Sequence, residues 1–297
     1  MQILFLIFMF VLGAALGSFL CCQVRRMEER EGAFEGIRSA AARGRAREPR
    51  GARPLGRELP KANGSERRGP KKPSSSLPIY SICLHCKKKL KWYDNVPIIS
   101  WCVLRGKCRF CHKKIGYAEV ISELASAITL TMLGTTINVE TANVETWFQF
   151  VLITIFTLSL LFLAIYDGIS GKLPTIMLIT SVILGAIAIT PSLVANFSPM
   201  PFISAAVFGG IYLLLYLISK GKWVGDGDWI LAGGIGLVLG HPWLALMALF
   251  IANFSACLIM YPLVKNKKNH QIYFGPFLVL AFVITYTFRD IILLCIS

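Results

Sequence analysis

Two aspartates stand at the edges of apolar segments, where an ionisable side chain is costly and is therefore a candidate for function. Asp167 follows the apolar run LFLAIY and precedes the turn-forming GISGK, and Asp228 lies in VGDGDW, directly before the next apolar run. Both fall on the same side of the predicted membrane segments, so we expect the two carboxylates at one depth. Two carboxylates that share one proton can activate a water molecule and protonate a leaving amine, which is the chemistry of an aspartic peptidase.

The same positions have a structural interpretation, because an aspartate at a helix end commonly caps that helix. Asp226, two residues before Asp228, is the alternative second member of the pair. Glu119 and Glu123 are spaced four residues apart on one helix face, and they either cap that helix or face the site. These alternatives differ in the role that they give to the carboxylates. All of them keep the carboxylates at the ends of membrane segments.

Four cysteines form two CxxC pairs in a short aromatic-rich stretch, namely Cys83 with Cys86 and Cys108 with Cys111. Two such pairs suit a tetrahedral zinc ion held by four thiolates, so we predict a structural zinc site. The predicted cytosolic position of the stretch argues against disulfides. A redox role and a metal-free fold are the alternatives.

The apolar segments that position these residues are typical of a membrane protein. The chain has 297 residues, of which 55% are hydrophobic, and a mean hydropathy of +0.61. We predict an all-α polytopic membrane protein with about eight transmembrane helices and a small cytoplasmic zinc module after the first helix. The predicted spans are 2–22, 119–137, 147–166, 173–192, 201–219, 229–240, 243–264 and 272–294. The sixth is short enough to be a half-helix packed against protein.

The distribution of basic residues predicts the orientation of these spans. Most of the 31 Lys and Arg residues lie between Arg25 and Lys114, whereas residues 138–146 and 193–200 contain none. Positive residues collect on the cytoplasmic side, which places the zinc module and both aspartates there and the N-terminus outside. The net charge of +15 therefore reflects membrane topology, and we predict no nucleic-acid partner.

Composition divides the chain into four regions. Residues 1–22 form the first transmembrane helix, and 23–79 form a basic cytoplasmic insertion that we expect to be disordered, since it has few large apolar residues. Residues 80–118 form the four-cysteine module, and 119–297 form the transmembrane domain that carries both aspartates.

Several motifs together resemble the type IV prepilin peptidases, a family of inner-membrane enzymes. They are LGSFL at Leu16–Leu20, DNVPIISWCVLRGK between the cysteine pairs, IGYAEVISELASA, AIYDGISGKLP, VGDGDWILA and FGPFL at Phe274–Leu278. The resemblance covers nearly the whole chain except residues 28–78.

This resemblance implies that Asp167 and Asp228 occupy the places of the two catalytic aspartates, and that the four cysteines occupy those of the metal ligands. It also implies cleavage after a glycine, which removes the short basic leader of a type IV pilin, pseudopilin or competence pilin precursor. Methylation of the new N-terminus from S-adenosylmethionine is a second implied activity.

Two other functions compete with this one. A non-catalytic assembly or docking protein of a pilus or secretion system would keep the fold and zinc module, but it would not need the aspartate pair. A zinc metalloprotease is disfavoured because the chain has no HExxH motif and only four histidines.

Overall fold

The computed structural model describes residues 1–46, 86–264 and 273–296, apart from 87, 90, 92, 94, 95, 115, 172, 196, 222 and 223. Side chains are described in these ranges except at 33–46 and 261–264. The regular structure of the described residues is helical, apart from isolated bridge residues such as Lys107 and Lys114, which pair with each other. The all-α prediction is therefore confirmed. The helices are α1 (Gln2–Ala46), α2 (Ile99–Val103), α3 (Ala118–Gly134), α4 (Val144–Ser170), α5 (Thr175–Ala195), α6 (Met200–Ser219), α7 (Asp228–Leu239), α8 (Pro242–Val264), α9 (Gly275–Thr287) and α10 (Arg289–Ile296).

The predicted count of eight membrane spans is not confirmed. Within the described residues, five helices are long and apolar enough to cross a membrane, or six if the bent pair α9–α10 is one span. Each predicted span does contain a helix, but α3 has 17 residues and α7 has 12, against the roughly 20 that cross a bilayer. The last predicted span bends by 71° between α9 and α10. The bend precedes Arg289 and Asp290, whose charges are costly in hydrocarbon.

The first helix is longer than predicted. It continues to Ala46 and so includes the first part of the predicted disordered insertion. This part is rich in Ala, Glu and Arg, which are good helix formers, and it contains no proline. The rest of the insertion, from residue 47 to 79, lies outside the described residues.

The last turn of α4, with Asp167, and the first residue of α7, Asp228, lie at the same end of the helical bundle. We call this the aspartate end. Contacts fix this arrangement: Arg25 of α1 forms an ion pair of 3.0 Å with Glu119 at the start of α3. At the opposite end, the Gln2 side-chain amide donates to the Ile137 carbonyl at 2.9 Å. The core between the two ends is apolar and includes Phe156 of α4, Ile235 of α7 and Phe282 of α9.

Glycines allow close contact between pairs of helices. On α1, a Cβ at Gly17 would lie 2.6 Å from the Ser122 carbonyl oxygen of α3. On α7, a Cβ at Gly236 would lie 2.7 Å from the Ser204 carbonyl oxygen of α6 and 3.0 Å from the Ala205 Cα. Small residues at such positions let helix backbones approach in the membrane, where packing rather than the hydrophobic effect drives association. The Gly236 contact holds in place the helix that begins with Asp228.

We expect Gly236→Ala to destabilise the protein by about 1–3 kcal/mol, since the added methyl meets backbone atoms that cannot rotate away. Gly210→Ala is the matched control, because a Cβ there meets nothing within 4 Å. That change should be neutral or stabilising by up to about 1 kcal/mol, since alanine favours helix over glycine. Thermal unfolding of both variants in detergent measures the difference. Equal stability of the two would show that α6 and α7 are less closely packed than the structure indicates.

Candidate active site and cysteine cluster

The structure places both predicted aspartates at one end of the bundle, in buried positions on different helices. Asp167 lies in the last turn of α4 and is 6% exposed, whereas Asp228 is the first residue of α7 and is 5% exposed. The charge of Asp167 acts on Asp228, so the two carboxylates lie within electrostatic reach of each other. The chain thus brings together two carboxylates that are 61 residues apart.

Asp167 is held by the start of α9. Its Oδ2 accepts a hydrogen bond of 2.9 Å from the backbone N–H of Gly275, the first residue of that helix. The N-terminus of a helix favours negative charge, since its first N–H groups have no partner within the helix. A Cβ at Gly275 would lie 2.9 Å from the same carboxylate oxygen, so a larger residue would push the carboxylate away.

Besides Gly275, the surroundings of Asp167 include Gly171, which lies in the turn that follows α4. Gly171 ends α4 with a φ of 66°, and its N–H donates to the Asp167 carbonyl at 2.8 Å. A Cβ at Gly171 would lie 2.7 Å from the Tyr273 ring. The left-handed conformation and the close approach of Tyr273 both favour glycine here. The segment around Tyr273 and Gly275 therefore packs against both ends of the Asp167 turn.

Asp228 is held locally. Its Oδ2 accepts a hydrogen bond of 2.9 Å from the N–H of Gly225, which folds the GDGD loop back onto the start of α7. Gly227 fits between this loop and α5, where a Cβ would lie 2.7 Å from Leu178 and 3.0 Å from Leu173. Asp226 has a different environment, because it is exposed and its side chain lies near Tyr216. Burial and proximity to Asp167 distinguish Asp228 from Asp226.

The two α3 carboxylates contact other parts of the protein. Glu119 pairs with Arg25, and Glu123 accepts a hydrogen bond of 2.8 Å from the backbone N–H of Ile98. Glu123 thereby attaches the start of α2, inside the cysteine module, to the transmembrane bundle. Glu119 lies in the first turn of α3, where a negative charge favours the helix, although no side-chain hydrogen bond from the described residues caps the first residue of that helix.

Sequence reasoning missed three groups near the aspartates. The Gly275 N–H lies within the FGPFL motif, but the motif gave no indication that it binds Asp167. The Tyr166 hydroxyl, next to Asp167, donates to Glu31 of α1 at 2.8 Å. Tyr212 lies within reach of the Asp228 charge. Tyr166 and Tyr212 are buried tyrosines inside apolar helices, and that unusual setting was the only signal in the sequence.

Three of the four predicted metal ligands form a cluster. The Sγ atoms of Cys86, Cys108 and Cys111 all lie within 4.8 Å of one another, and Cys83 lies outside the described residues. In a tetrahedral zinc site with Zn–S distances of about 2.3 Å, sulfurs are about 3.8 Å apart, so the cluster is compatible with zinc. The Cys108–Cys111 turn is closed by two backbone hydrogen bonds, from Cys108 N to Lys113 O and from His112 N to Cys108 O, both of 2.9 Å.

Models of two protein-family domains match successive parts of the chain. Residues 11–137 match the model of the bacterial peptidase A24 N-terminal domain, and residues 153–261 match that of the type IV leader peptidase family. The first match contains α1, the cysteine cluster and α3, and the second contains both aspartates. No solved structure matches the chain.

Curated relatives carry the name prepilin leader peptidase/N-methyltransferase. The relative from Vibrio cholerae is 26% identical over 69% of this chain and 80% of its own length. The relative from Pseudomonas aeruginosa is 28% identical over 68% of this chain and 69% of its own length. The relative from Neisseria gonorrhoeae is 27% identical, with 71% of each chain covered. Because the two family models together extend over most of the chain and these relatives share one name, the chain belongs to the type IV leader peptidase family.

Proposed function

We propose that the chain is an aspartic endopeptidase that removes the basic leader from prepilin-like precursors, with Asp167 and Asp228 as its catalytic pair. The observation that carries this proposal is the burial of both carboxylates, on different helices, within reach of each other's charge. Burial disfavours the ionised form of each carboxylate, and two like charges in one site disfavour it further, so the pair is suited to share one proton. Two ordinary helix caps would have no reason to lie together.

In the proposed mechanism, one carboxylate takes a proton from water as the water oxygen bonds to the carbonyl carbon of the scissile peptide. The carbonyl oxygen then carries negative charge. The C–N bond breaks as the other, protonated carboxylate gives its proton to the leaving nitrogen. One water is consumed, and the pair holds one proton before and after the reaction. The Gly275 and Gly225 N–H groups hold the two carboxylates in position.

The charge distribution supports a cytoplasmic location for the aspartate end. Lys220 and Arg25 lie at this end, and basic loops remain on the cytoplasmic side of a membrane. Glu31, on the extension of α1, is exposed and accepts a hydrogen bond from Tyr166, the residue before Asp167 in the chain. A negative group at this position complements the basic leader that the family resemblance implies for the substrate.

We further propose that Cys83 completes a zinc site with Cys86, Cys108 and Cys111. Four thiolates close the coordination shell, so the ion would stabilise the module and would activate no water. The N-methyltransferase part of the relatives' names supports a second reaction of this chain, methylation of the new N-terminus, with S-adenosylmethionine as the methyl donor.

The first prediction concerns the aspartate pair. Asp167→Asn and Asp228→Asn should each abolish cleavage, since asparagine keeps the size of the side chain but cannot exchange a proton. The double variant should add little, because the pair acts as a unit. The measurement is mass spectrometry of the N-terminus of a co-expressed prepilin-like protein, in membranes that contain equal amounts of each variant. The same spectra report methylation.

Asp226→Asn is the matched control for this pair, because Asp226 is exposed and two residues from Asp228. It should process the precursor normally. Full processing by either Asp167→Asn or Asp228→Asn would exclude the aspartic mechanism and favour a docking protein. Loss with Asp226→Asn alone would move the second catalytic position by two residues.

A second prediction concerns the contact between Asp167 and α9. Gly275→Ala retains the N–H donor but adds a methyl group 2.9 Å from Oδ2, so the carboxylate must move. A displacement of about 1 Å can reduce the rate about 10²-fold. Gly168→Ala is the control, since a Cβ next to Asp167 in sequence meets nothing within 4 Å there. Equal cleavage rates for the two variants would contradict the Asp167–Gly275 contact.

A third prediction concerns zinc. The purified protein should contain about one zinc per chain, and Cys86→Ser should lower that content. Cys102→Ser should not, because Cys102 lies in the same module, is exposed and is outside the cluster. Metal analysis by mass spectrometry measures both. A folded, active protein without zinc would show that the cysteines serve another purpose.

A further inference from the structure

Tyr212 is a buried residue of α6, the helix that packs against α7. Its side chain is 1% exposed, and its ring packs against the rings of Phe208 and Phe274 with centroid distances of 5.6 and 5.5 Å. Phe274 directly precedes Gly275, whose N–H binds Asp167. Tyr212 therefore contacts the segment that positions the first aspartate.

The pairing of α6 with α7 places Tyr212 at the level of the second aspartate. One turn towards the aspartate end, Tyr216 lies near Asp226. Nearly one turn in the other direction, a Cβ at Gly209 would lie 3.2 Å from the carbonyl oxygen of Trp229. Tyr212 lies between these two contacts, at the level where α7 begins with Asp228.

The hydroxyl of Tyr212 is held in one orientation by Asn253 of α8. The Asn253 side-chain amide donates to the Tyr212 oxygen at 3.1 Å and to the Leu249 carbonyl at 2.8 Å. A phenol oxygen can accept such a bond and still donate its own proton. Because the oxygen accepts from Asn253, the proton of Tyr212 is available for a different acceptor.

An asparagine inside the apolar helix α8 also needs an explanation. Polar side chains are costly within a membrane segment and are commonly functional. Among the described contacts of Asn253, the bond to Tyr212 is the one that reaches another helix. The hydrogen bond to the Tyr212 hydroxyl therefore explains why α8 contains an asparagine at position 253.

We propose that Tyr212 is a third catalytic group of this site, whose hydroxyl donates a hydrogen bond to the carbonyl oxygen of the scissile peptide as that oxygen becomes negatively charged. The proposal rests on the proposed peptidase function, in which the two aspartates serve the water and the leaving nitrogen and leave the carbonyl oxygen without a donor. Donors placed at a developing oxyanion, tyrosine hydroxyls among them, stabilise the transition state more than the bound substrate. Asn253 is a positioning residue that acts through Tyr212.

The test is Tyr212→Phe in the full-length protein, because this change removes the hydroxyl and keeps the ring that packs against Phe274. Removal of one oxyanion donor lowers kcat by about 10²–10³-fold. Because the bond forms only in the transition state, kcat and kcat/KM should fall equally and KM should stay close to wild type. Asn253→Ala should give a smaller fall of the same kind.

Tyr216→Phe is the matched control, since it removes a hydroxyl one turn away that lies near the exposed Asp226. It should cleave a purified prepilin-like precursor at nearly the wild-type rate. An unchanged kcat in Tyr212→Phe would overturn the proposal, and so would a lower yield of folded protein with a normal kcat, which would indicate packing alone. If Tyr212→Phe does not fold, Asn253→Ala carries the test, and an unchanged kcat there overturns the proposal as well.

Asp167→Asn and Asp228→Asn in the same assay separate this proposal from the peptidase function on which it rests. If they are inactive while Tyr212→Phe keeps the wild-type kcat, the role of Tyr212 alone is excluded. If they cleave normally, the aspartic mechanism fails and the proposed role of Tyr212 fails with it.

Discussion

The cost of a carboxylate in an apolar environment is the constraint on which the rest of this structure depends. Asp167 and Asp228 are both nearly inaccessible to solvent, and each has a backbone N–H at 2.9 Å as a partner. Side chains of lysine or arginine would satisfy the charge more strongly, but a fixed cation would also hold both carboxylates ionised. Neutral backbone donors hold the side chains in position without fixing their protonation state. Such a site is suited to a pair that must gain and lose a proton.

Holding both carboxylates with backbone N–H groups requires several helices to begin or end at the same depth in the bundle. Asp167 closes α4, Asp228 opens α7, and the N–H that binds Asp167 opens α9. The close contacts at Gly209 and Gly236 fix α7 against α6, and that same contact fixes the level of Tyr212. The short length of α7 follows from this arrangement, since the helix starts at the buried aspartate and not at a membrane surface. A helix of 12 residues is then supported by protein on its sides, as a partial span must be.

The sequence predicted the features that depend on local composition and missed those that depend on distant contacts. Asp167 and Asp228 were identifiable because carboxylates are rare in apolar runs, and the helices because apolar residues are continuous along them. The Gly275 partner of Asp167 is 108 residues away, and the Glu31 partner of Tyr166 is 135 residues away. Neither periodicity nor propensity reports such pairs. The contact between α1 and α3 was not predicted, although the sequence carries a sign of it: Gly13 and Gly17 form a small-xxx-small pattern that favours close helix packing.

The cysteine module is joined to the bundle through contacts that do not involve the aspartates. Glu123 of α3 accepts from the Ile98 N–H, and Glu119 pairs with Arg25 of α1, so the module is attached where α1 and α3 cross. The aspartate pair lies on α4 and α7, where Asp167 is held by the start of α9 and Asp228 by the Gly225 N–H. Among the described residues, the route from the module to the pair runs through the packing of α1 and α3 and includes the Tyr166–Glu31 bond from the extension of α1. The described contacts thus tie the module to α1 and α3, and the aspartate pair to α4, α7 and the start of α9.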